Sequence, residues 1–507
     1  MFTAQKNRKI PLLMGTQHPD NASVPFWAES AFISRGQEME EIFQNFFELG
    51  CDEFMWDWEG KFADEAMIEK LLSVHLKPFQ QEELGRDRFI TLRVPNVWEE
   101  KTFKLARAYM SVLSASEFVN ALGLNTPPVF EFILPMTTRA DQLIHIQSTF
   151  RKMAKVHEEI FGSQNFGDGY IHIIPLIESV EDFAGAYTLL ENFLILHKKE
   201  FGCYPPYMRV FIARSDPALN AGLVPAVLGS RLALREFYRI QNDFGIPIYP
   251  IIGAGSLPFR GGINPDNIER SLQQYKGCKT ITVQSAFRYD YPVDQVKSAM
   301  KKIEEAFAEP EEIKYSDEEF AKVLELCDIF KKFYRPTIEK FSTMINQMAE
   351  SVPSRRERVQ HNGLFGYNRG VGEVSLPRAI KFTAACYSLG VPPEFIGTGR
   401  GLKVAKEKGL IPTLEDHFFT LRHELKHAGK FLNRENLAHY AKTEEWAQEI
   451  EEDIKLCEEI LDIELGPDKD QHFLHRNVTS NIALKQRIGK DFSEDLVEAA
   501  ILRKSLG

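Results

Sequence analysis

Residues 171–176 of the chain read Ile-His-Ile-Ile-Pro-Leu, a short and largely apolar run. A run of this length is typical of a strand that is buried on both faces of a parallel sheet. Similar runs occupy 89–94, 129–134, 208–213, 248–252 and 280–283, with 51–56 as a further candidate, and helical patterns lie between them at 140–159, 180–199 and 223–244. Repeated β-α units of this kind predict an α/β fold, a TIM-type (β/α)8 barrel.

The alternation of predicted strands and helices ends near residue 293. Residues 293 to about 345, and again 414–461, are helical in pattern and rich in charge. We therefore expect additional helices around the barrel and at the C-terminal side. We interpret the chain as one domain, with a barrel core at roughly 10–400 and a helical extension at roughly 401–507.

Composition narrows the possible functions. The 507 residues are 44% hydrophobic and 26% charged, which is enough for a substantial core, and the formal net charge is −11. A negative chain is a poor partner for nucleic acid or an anionic membrane, so an anionic substrate must be met by locally concentrated arginines. Six cysteines without a Cys-x-x-Cys pair indicate free thiols. With no signal peptide pattern and no apolar run of about 20 residues, we expect a soluble, cytoplasmic protein.

Two acidic residues follow predicted strands. Glu178 comes after the 171–176 run and Asp216 after the 208–213 run. The active site of a parallel barrel is built at the carboxyl ends of its strands, and Mg²⁺ takes one or two carboxylates while keeping positions for water and substrate. The pair is therefore a candidate metal site. Each carboxylate could instead cap the helix that follows it.

A histidine and an arginine complete the chemical set. His18 lies in the polar segment Thr16–Asn21, where it could act as a general base or be a structural loop histidine. Arg260 stands before Gly261 and Gly262 in a glycine-rich segment after the 248–252 strand. Glycines let backbone amides approach an anion, and arginine adds a permanent charge, although a mobile turn is the alternative.

Further arginines are candidate substrate-binding residues. Arg93 lies near the end of the 89–94 strand, Arg355 and Arg356 stand in the basic cluster 353–358, and Arg378 follows in the segment 375–380. Arginine pairs well with phosphate and carboxylate groups. A surface network of ion pairs would explain the basic cluster equally well.

One motif points to a different chemistry. Residues 423–427 read His-Glu-Leu-Lys-His, which matches the pattern that places two zinc-binding imidazoles and a glutamate on one helix. His423, Glu424 and His427 would then belong to a zinc hydrolase. The surrounding charge favours a solvated helix face instead.

The chain nevertheless resembles a known family. Segments 16–21, 55–61, 284–290, 363–367 and 376–380 are similar to the archaeal-type phosphoenolpyruvate carboxylases, the compact form of that enzyme. The resemblance implies a lyase that carboxylates phosphoenolpyruvate with bicarbonate, through carboxyphosphate and a metal-stabilised enolate, to give oxaloacetate and phosphate. This is a carbon dioxide-fixing step that feeds the tricarboxylic acid cycle. The resemblance also implies a homotetramer, a dimer of dimers.

The resemblance implies roles for single residues. His18 resembles the catalytic histidine of the larger enzymes, whose motif Thr-Ala-His-Pro-Thr-Glu here reads Thr-Gln-His-Pro-Asp-Asn. Glu178 and Asp216 resemble ligands of Mg²⁺ or Mn²⁺, and Arg260 resembles a loop arginine near carboxyphosphate. Phosphate or inhibitor contacts are implied for Arg355 or Arg356 and for Arg378.

The sequence also departs from the larger enzymes. They carry a lysine where this chain has Leu219, and a His-Gly-Arg-Gly-Gly stretch where it has 252–255. They end in Gln-Asn-Thr-Gly, whereas residues 502–507 read Leu-Arg-Lys-Ser-Leu-Gly, so we expect weak inhibition by aspartate. A metal-dependent aldolase or citrate-lyase-like enzyme remains an alternative, and a helical adaptor is a weaker one.

Overall fold

The computed structural model describes residues 8–61, 63–99, 103–124, 126–162, 169–357, 369–371 and 374–507. The segment 363–367, part of the family resemblance, and Arg358 of the basic cluster lie outside this described part.

Eight parallel strands form a closed barrel, which confirms the predicted TIM-type fold. Each strand pairs with the next one along the chain, and the first pairs with the eighth through Met14 and Thr282. The strands are β1 (Leu13–Thr16), β2 (Glu53–Asp57), β3 (Phe89–Arg93), β4 (Glu131–Leu134), β5 (His172–Ile177), β6 (Met208–Ala213), β7 (Ile248–Gly253) and β8 (Thr280–Val283).

Helices follow the strands along the barrel. They are α1 (Glu38–Phe43), α2 (Met67–Gln81), α3 (Lys104–Ala121), α4 (Ala140–Phe161), α5 (Val180–Ala184), α6 (Ala186–Phe201), α7 (Ser215–Ala221), α8 (Leu223–Phe244), α9 (Ile268–Gln274), α10 (Ser285–Tyr289) and α11 (Val293–Phe307). A large apolar core lies between these helices and the outer face of the strands.

The remaining chain is helical apart from a two-stranded antiparallel sheet, β9 (Arg369–Val371) and β10 (Val374–Leu376). Its helices are α12 (Asp317–Glu350), α13 (Ala379–Ser388), α14 (Thr398–Glu407), α15 (Ile411–His417), α16 (Leu421–Gly429), α17 (Arg434–Tyr440), α18 (Glu445–Leu461), α19 (Asp470–Arg487) and α20 (Ser493–Leu502). They share a second core with α7 and α8. No described helix combines the length and apolar character needed to cross a bilayer.

The structure corrects several element boundaries. The first strand was not predicted, because its four residues follow a proline and give too short an apolar run. The helix predicted at 180–199 is two helices that meet at Gly185. The stretch 414–461 contains parts or all of α15 to α18, so its predicted helical character is confirmed. Helical periodicity does not show short interhelical turns that lack proline.

The barrel interior is layered. Met55, Ile174 and Phe211 belong to a buried apolar layer in its middle. Below it, at the amino ends of the strands, Arg209 donates to both oxygens of Glu53 and, at 2.7 Å, to Glu131. Burial alone would raise the pKa of Glu131, but Arg8 and Arg209 outweigh it and lower the pKa to about 2. This buried ion group fills the amino end of the barrel.

Replacing Arg209 by methionine is expected to destabilise the fold strongly. The change leaves two buried carboxylates without their shared guanidinium, and breaking such a pair costs about 3–5 kcal/mol. Denaturant unfolding of Arg209→Met measures this. Lys322→Met, which removes the exposed pair with Glu318, is the control and is expected to cost at most about 1 kcal/mol. Equal effects of the two changes would contradict the account.

Candidate active site

A cavity of about 400 Å³ opens at the carboxyl ends of the strands. Eight of the residues singled out in the sequence line it: His18, Arg93, Glu178, Asp216, Arg260, Arg355, Arg356 and Arg378. The strands that precede five of them are parallel, so their carboxyl ends meet at one rim of the barrel. The basic residues from beyond α12 reach the same cavity from the helical part.

Other lining residues were missed. They include Glu59, Ser215, Lys381 and Leu506. Glu59 follows β2 and could have been found by the same rule that found Glu178. Lys381 lies in the first turn of α13 and Arg378 is the residue just before that helix, so the start of α13 brings both cations to the cavity. The sequence around Leu506 does not indicate a site residue, because only the tertiary fold brings Leu506 to the cavity.

The two carboxylates that were proposed as metal ligands are half-buried and line the cavity together. Ser179, not Glu178, caps α5, so capping does not explain Glu178. Its Oε2 accepts a hydrogen bond from the amide of Met136, a residue with a positive φ of 51° at the end of β4. Asp216 lies in the first turn of α7. Acidic oxygens from two strand ends suit a divalent cation that keeps water and substrate ligands.

The described residues contain no group of three or more His, Cys, Asp or Glu side chains arranged to hold a metal. Two carboxylates are fewer ligands than a closed zinc site has, and Mg²⁺ or Mn²⁺ can be bound by one or two carboxylates. In α16, the helix of the His-Glu-x-x-His motif, His423 Nδ1 lies against Arg270. The side chain of Glu424 is buried and accepts from Thr420. Within the described part of the chain, nothing completes a zinc site on this helix.

His18 lies just beyond β1 and is half-buried. Its Nδ1 is 2.8 Å from the hydroxyl of Thr16, which orients the ring. The loop around it is anchored on both sides. Gln17 Oε1 accepts from the amide of Asp57, and Asp20 accepts from the amide of Ala286. The imidazole is thus held in place at the rim of the cavity.

Arg93 is buried and held by two acidic side chains. Its Nε and Nη2 donate to the carboxylate of Asp57 at 3.0 and 2.6 Å, and Nε lies 3.2 Å from Glu59 Oε2. Burial alone would lower the pKa of Arg93, but Asp57 and Glu59 raise it above its ordinary value. The guanidinium is a fixed positive charge on the cavity wall.

Arg260 is almost fully buried and is held by hydrogen bonds along its whole guanidinium. Nε donates to Ser215, Nη1 to Asp20 at 2.9 Å and to the carbonyl of Gly507 at 2.6 Å, and Nη2 to Gln284. Its partners come from four segments that are far apart in sequence. Such a network fixes the position of the charge rather than leaving it mobile.

The segment 254–263, here called the arginine loop, turns tightly around Arg260. Gly255 donates to the carbonyl of Arg260, and Gly261 has a φ of 127°. A side chain at Gly261 would put its Cβ 2.5 Å from Ala254 Cβ. Gly261 and Gly262 are not among the residues that line the cavity. Their expected contact with substrate stays a prediction, and in the structure they shape the turn.

The two arginines of the basic cluster differ in their contacts. Arg355 donates to the backbone carbonyls of Asn21 and Ala22 and so ties down the His18 loop. Arg356 Nη2 donates to Glu41, while its Nε and Nη1 have no partner in the described protein. Burial alone would raise the pKa of Glu41, but Arg356 and Arg288 lower it to about 2. Arg356 therefore lines the cavity while two of its nitrogens are buried without a protein partner.

Residues 505–507 form part of the site, which the sequence did not indicate. Leu506 lines the cavity and its amide donates to the carbonyl of Asp20 at 2.7 Å. The carbonyl of Leu506 accepts from Arg503, which is buried. Gly507 packs so closely that a Cβ there would lie 2.0 Å from the carbonyl oxygen of Ile380.

Replacing Gly507 by alanine is therefore expected to displace this segment from Arg260. The clash is with backbone, so it cannot be relieved by a side-chain rotation. We expect kcat to fall about 10-fold because a contact that fixes Arg260 is lost, with little change in Tm. Steady-state kinetics and thermal unfolding measure both effects. Gly36→Ala, where the nearest atom would be 3.9 Å away, is the control, and equal activity of the two variants would refute this role.

Comparison with known proteins gives evidence that is independent of the geometry of the site. A family model described as phosphoenolpyruvate carboxylase matches residues 10–507. The phosphoenolpyruvate carboxylase of Leuconostoc mesenteroides is 40% identical over 480 residues, which cover 94% of each chain. That of Metallosphaera sedula is 37% identical over 521 residues, covering 99% of this chain and 100% of the relative. That of Methanothermobacter thermautotrophicus is 36% identical, covering 98% and 100%. The similarity spans the barrel and the helical extension alike.

Proposed function

The chain belongs to the phosphoenolpyruvate carboxylase family, in its archaeal-type form, and we infer that it converts phosphoenolpyruvate and bicarbonate to oxaloacetate and phosphate. One observation supports this most directly. Three carboxylates, a histidine and several arginines converge on a single cavity at the carboxyl end of the barrel. This set suits a small trianionic substrate whose phosphoryl group must move.

Glu178 and Asp216 are the residues that would hold Mg²⁺ or Mn²⁺. When bound, the cation supplies positive charge to the carboxylate and enol oxygens of the substrate. The chain supplies the rest of the binding. Arg356, Arg378 and Lys381 line the same cavity and bring three cations to it from the helical part of the chain. These cations match the phosphoryl and carboxylate groups of phosphoenolpyruvate.

The first chemical step is an attack of a bicarbonate oxygen on phosphorus. The P–O bond to the enol oxygen breaks, which gives carboxyphosphate and the enolate of pyruvate. Negative charge spreads over the transferring phosphoryl oxygens, and fixed cations stabilise it. We assign this task to Arg260 and Arg93, because both guanidiniums are held rigidly by protein partners at the cavity.

The second step needs a base. Carboxyphosphate gives up its carboxyl proton, and its C–O bond to phosphate then breaks to release CO₂ and inorganic phosphate. In the tautomer in which Nδ1–H donates to the hydroxyl of Thr16, His18 would accept that proton at Nε2. The enolate carbon then attacks CO₂ to form oxaloacetate. Retention of CO₂ depends on holding the two fragments together in the pocket.

A coupled assay tests the proposal. Oxaloacetate is followed through malate dehydrogenase and NADH oxidation, with and without bicarbonate and Mg²⁺. We expect oxaloacetate and phosphate in equal amounts, and only when bicarbonate and metal are both present. A metal-dependent aldolase or citrate-lyase-like enzyme would release no phosphate in response to bicarbonate. That result would overturn the assignment.

The assembly and location are proposals of the same kind. We propose a homotetramer, and the packed helices α19 and α20 support it because they expose the apolar side chains of Leu484, Ile488 and Ile501. Sedimentation should give a mass of about four times 58.1 kDa. A monomer would contradict this. The six cysteines are free, as expected for a cytoplasmic protein, and cell fractionation tests that location.

A further inference from the structure

The arginine loop rests on buried polar side chains that do not touch the cavity. Four of them, here called the support cluster, are Arg214, Tyr275, Glu394 and Glu424. Each is at most 2% exposed. None lines the cavity, so substrate binding does not explain them. Buried charged groups are costly, and their presence beneath a functional loop calls for a reason.

Glu394 holds the backbone just before Arg260. Its Oε1 accepts from the amide of Phe259 at 2.8 Å and from the hydroxyl of Tyr387 at 2.6 Å. Phe259 is the neighbour of Arg260 in the 3₁₀ turn Pro258–Arg260. The carboxyl therefore acts directly on the backbone from which the guanidinium projects.

Tyr275 holds the backbone just after Arg260. Its hydroxyl donates to the carbonyl of Gly261 at 2.7 Å and accepts from Arg214 Nε at 3.2 Å. Glu424 lies near Gly262 without a hydrogen bond to the loop, and it faces the positive charge of Arg214. Hydrogen bonds thus hold the arginine loop at Phe259 and at Gly261, on both sides of its one charged side chain.

The cluster is not optimised for stability alone. Glu394 Oε2, Glu424 Oε2 and both terminal nitrogens of Arg214 are buried and form no hydrogen bond within the described structure. An apolar cluster of the same volume would avoid that cost. The presence of these costly polar groups beneath the arginine loop is better explained if they hold the loop in position.

We propose that Glu394 and Tyr275, supported by Arg214 and Glu424, are positioning residues that set the location of the Arg260 guanidinium in the cavity. Glu424 of the His-Glu-x-x-His motif then has a role in loop support, without zinc. The proposal rests on the function proposed for Arg260. It predicts that the cluster acts on the rate through Arg260 and not through overall stability.

Burial raises the pKa of Glu394 and of Glu424 to about 7. The groups that face the two carboxyls, besides each other, are Tyr387, Cys386, Thr420, Tyr275, Arg214 and the amide of Phe259. Because the folded-state pKa lies above the ordinary 4.5, each carboxyl stabilises the fold at low pH, and this contribution is lost as the pH rises from 4.5 through 7. Glu394→Gln carries no such proton. Its Tm relative to the unmodified protein should therefore rise by roughly 1–4 °C between pH 5 and pH 8.

The test is a double-mutant cycle on kcat. Glu394→Met removes the acceptor of the Phe259 amide while keeping a side chain of similar length. Tyr275→Phe removes only the hydroxyl that donates to the carbonyl of Gly261. Each is made alone and together with Arg260→Gln. Glu394→Gln keeps the Oε1 acceptor, and Asp453→Asn, a buried carboxylate that accepts from the amides of Gly397 and Arg400, is the matched control.

We expect Glu394→Met to lower kcat about 10-fold with less than about a 3-fold change in KM for phosphoenolpyruvate, and Tyr275→Phe to lower it about 3-fold. Glu394→Gln and Asp453→Asn should keep the rate. In the Arg260→Gln background, neither Glu394→Met nor Tyr275→Phe should reduce the rate further. Equal losses in both backgrounds, or an unchanged rate, would overturn the proposal. If Glu394→Met does not fold, the Tyr275→Phe cycle decides. Full activity of Arg260→Gln alone would instead refute the role of Arg260.

Discussion

Asp216→Asn and Glu178→Gln are each expected to lower kcat/KM by about 100-fold or more while the fold survives. Both changes keep the shape of the side chain but remove a negative charge from the candidate metal site. Both residues are half-buried at the cavity, and neither belongs to the hydrophobic core. The measurement is activity titrated with Mg²⁺, together with thermal unfolding in the absence of metal. The apparent metal affinity should weaken, and Tm should change little.

Asp141→Asn is the matched control for the metal-site variants. Asp141 also lies in the first turn of a helix, but it is exposed and paired with Arg139. Removing the charge of Asp141 tests whether the loss of a negative charge from the first turn of a helix is enough to lower activity. We expect normal activity from this variant. Unchanged rates of Asp216→Asn at limiting Mg²⁺ would remove Asp216 from the metal site.

His18→Asn is expected to separate the two halves of the reaction. Phosphoryl transfer precedes the step that needs a base, so bicarbonate-dependent consumption of phosphoenolpyruvate should continue at a reduced rate. Oxaloacetate formation should fall by about 100-fold or more, in line with the contribution of a general base. Phosphate release and oxaloacetate formation are measured in parallel in the same sample.

The control for His18→Asn is His439→Asn, an exposed histidine on α17. That variant should keep phosphate and oxaloacetate in equal amounts. Equal amounts in His18→Asn, at an unchanged rate, would show that His18 is a structural loop residue. A loss of both products to the same extent would place the histidine in the first step.

The barrel was predictable because its strands are buried on both faces. Residues such as Ile173 and Ile212 make short apolar runs between amphipathic helices, and that alternation indicates parallel β-α units. The candidate site was predictable from the same strands, because polar residues that follow parallel strands meet at the carboxyl end of the barrel. Glu178 and Asp216 were found in this way. The strand Leu13–Thr16 was not, because it is too short to stand out from its surroundings.

The contacts that complete the site were not predictable. Arg260 is bound by Asp20, Gln284 and Gly507, which come from distant parts of the chain. Asp20 and Gln284 stand in segments that the sequence singled out, but no local pattern shows that they bind Arg260, because the partners are far apart in the chain. The support for Phe259 by Glu394 is of the same kind. The sequence indicated the candidate site residues, and tertiary packing determines how they are held.

The fate of bicarbonate oxygen tests the central claim most directly. If a bicarbonate oxygen attacks phosphorus, bicarbonate labelled with ¹⁸O must transfer one labelled oxygen to inorganic phosphate and the others to the new carboxylate of oxaloacetate. Mass spectrometry of both products, taken early in the reaction in unlabelled water, measures this transfer. We predict one ¹⁸O atom in each phosphate formed. Phosphate without ¹⁸O would mean that water attacks phosphorus, and would contradict the proposed carboxylation.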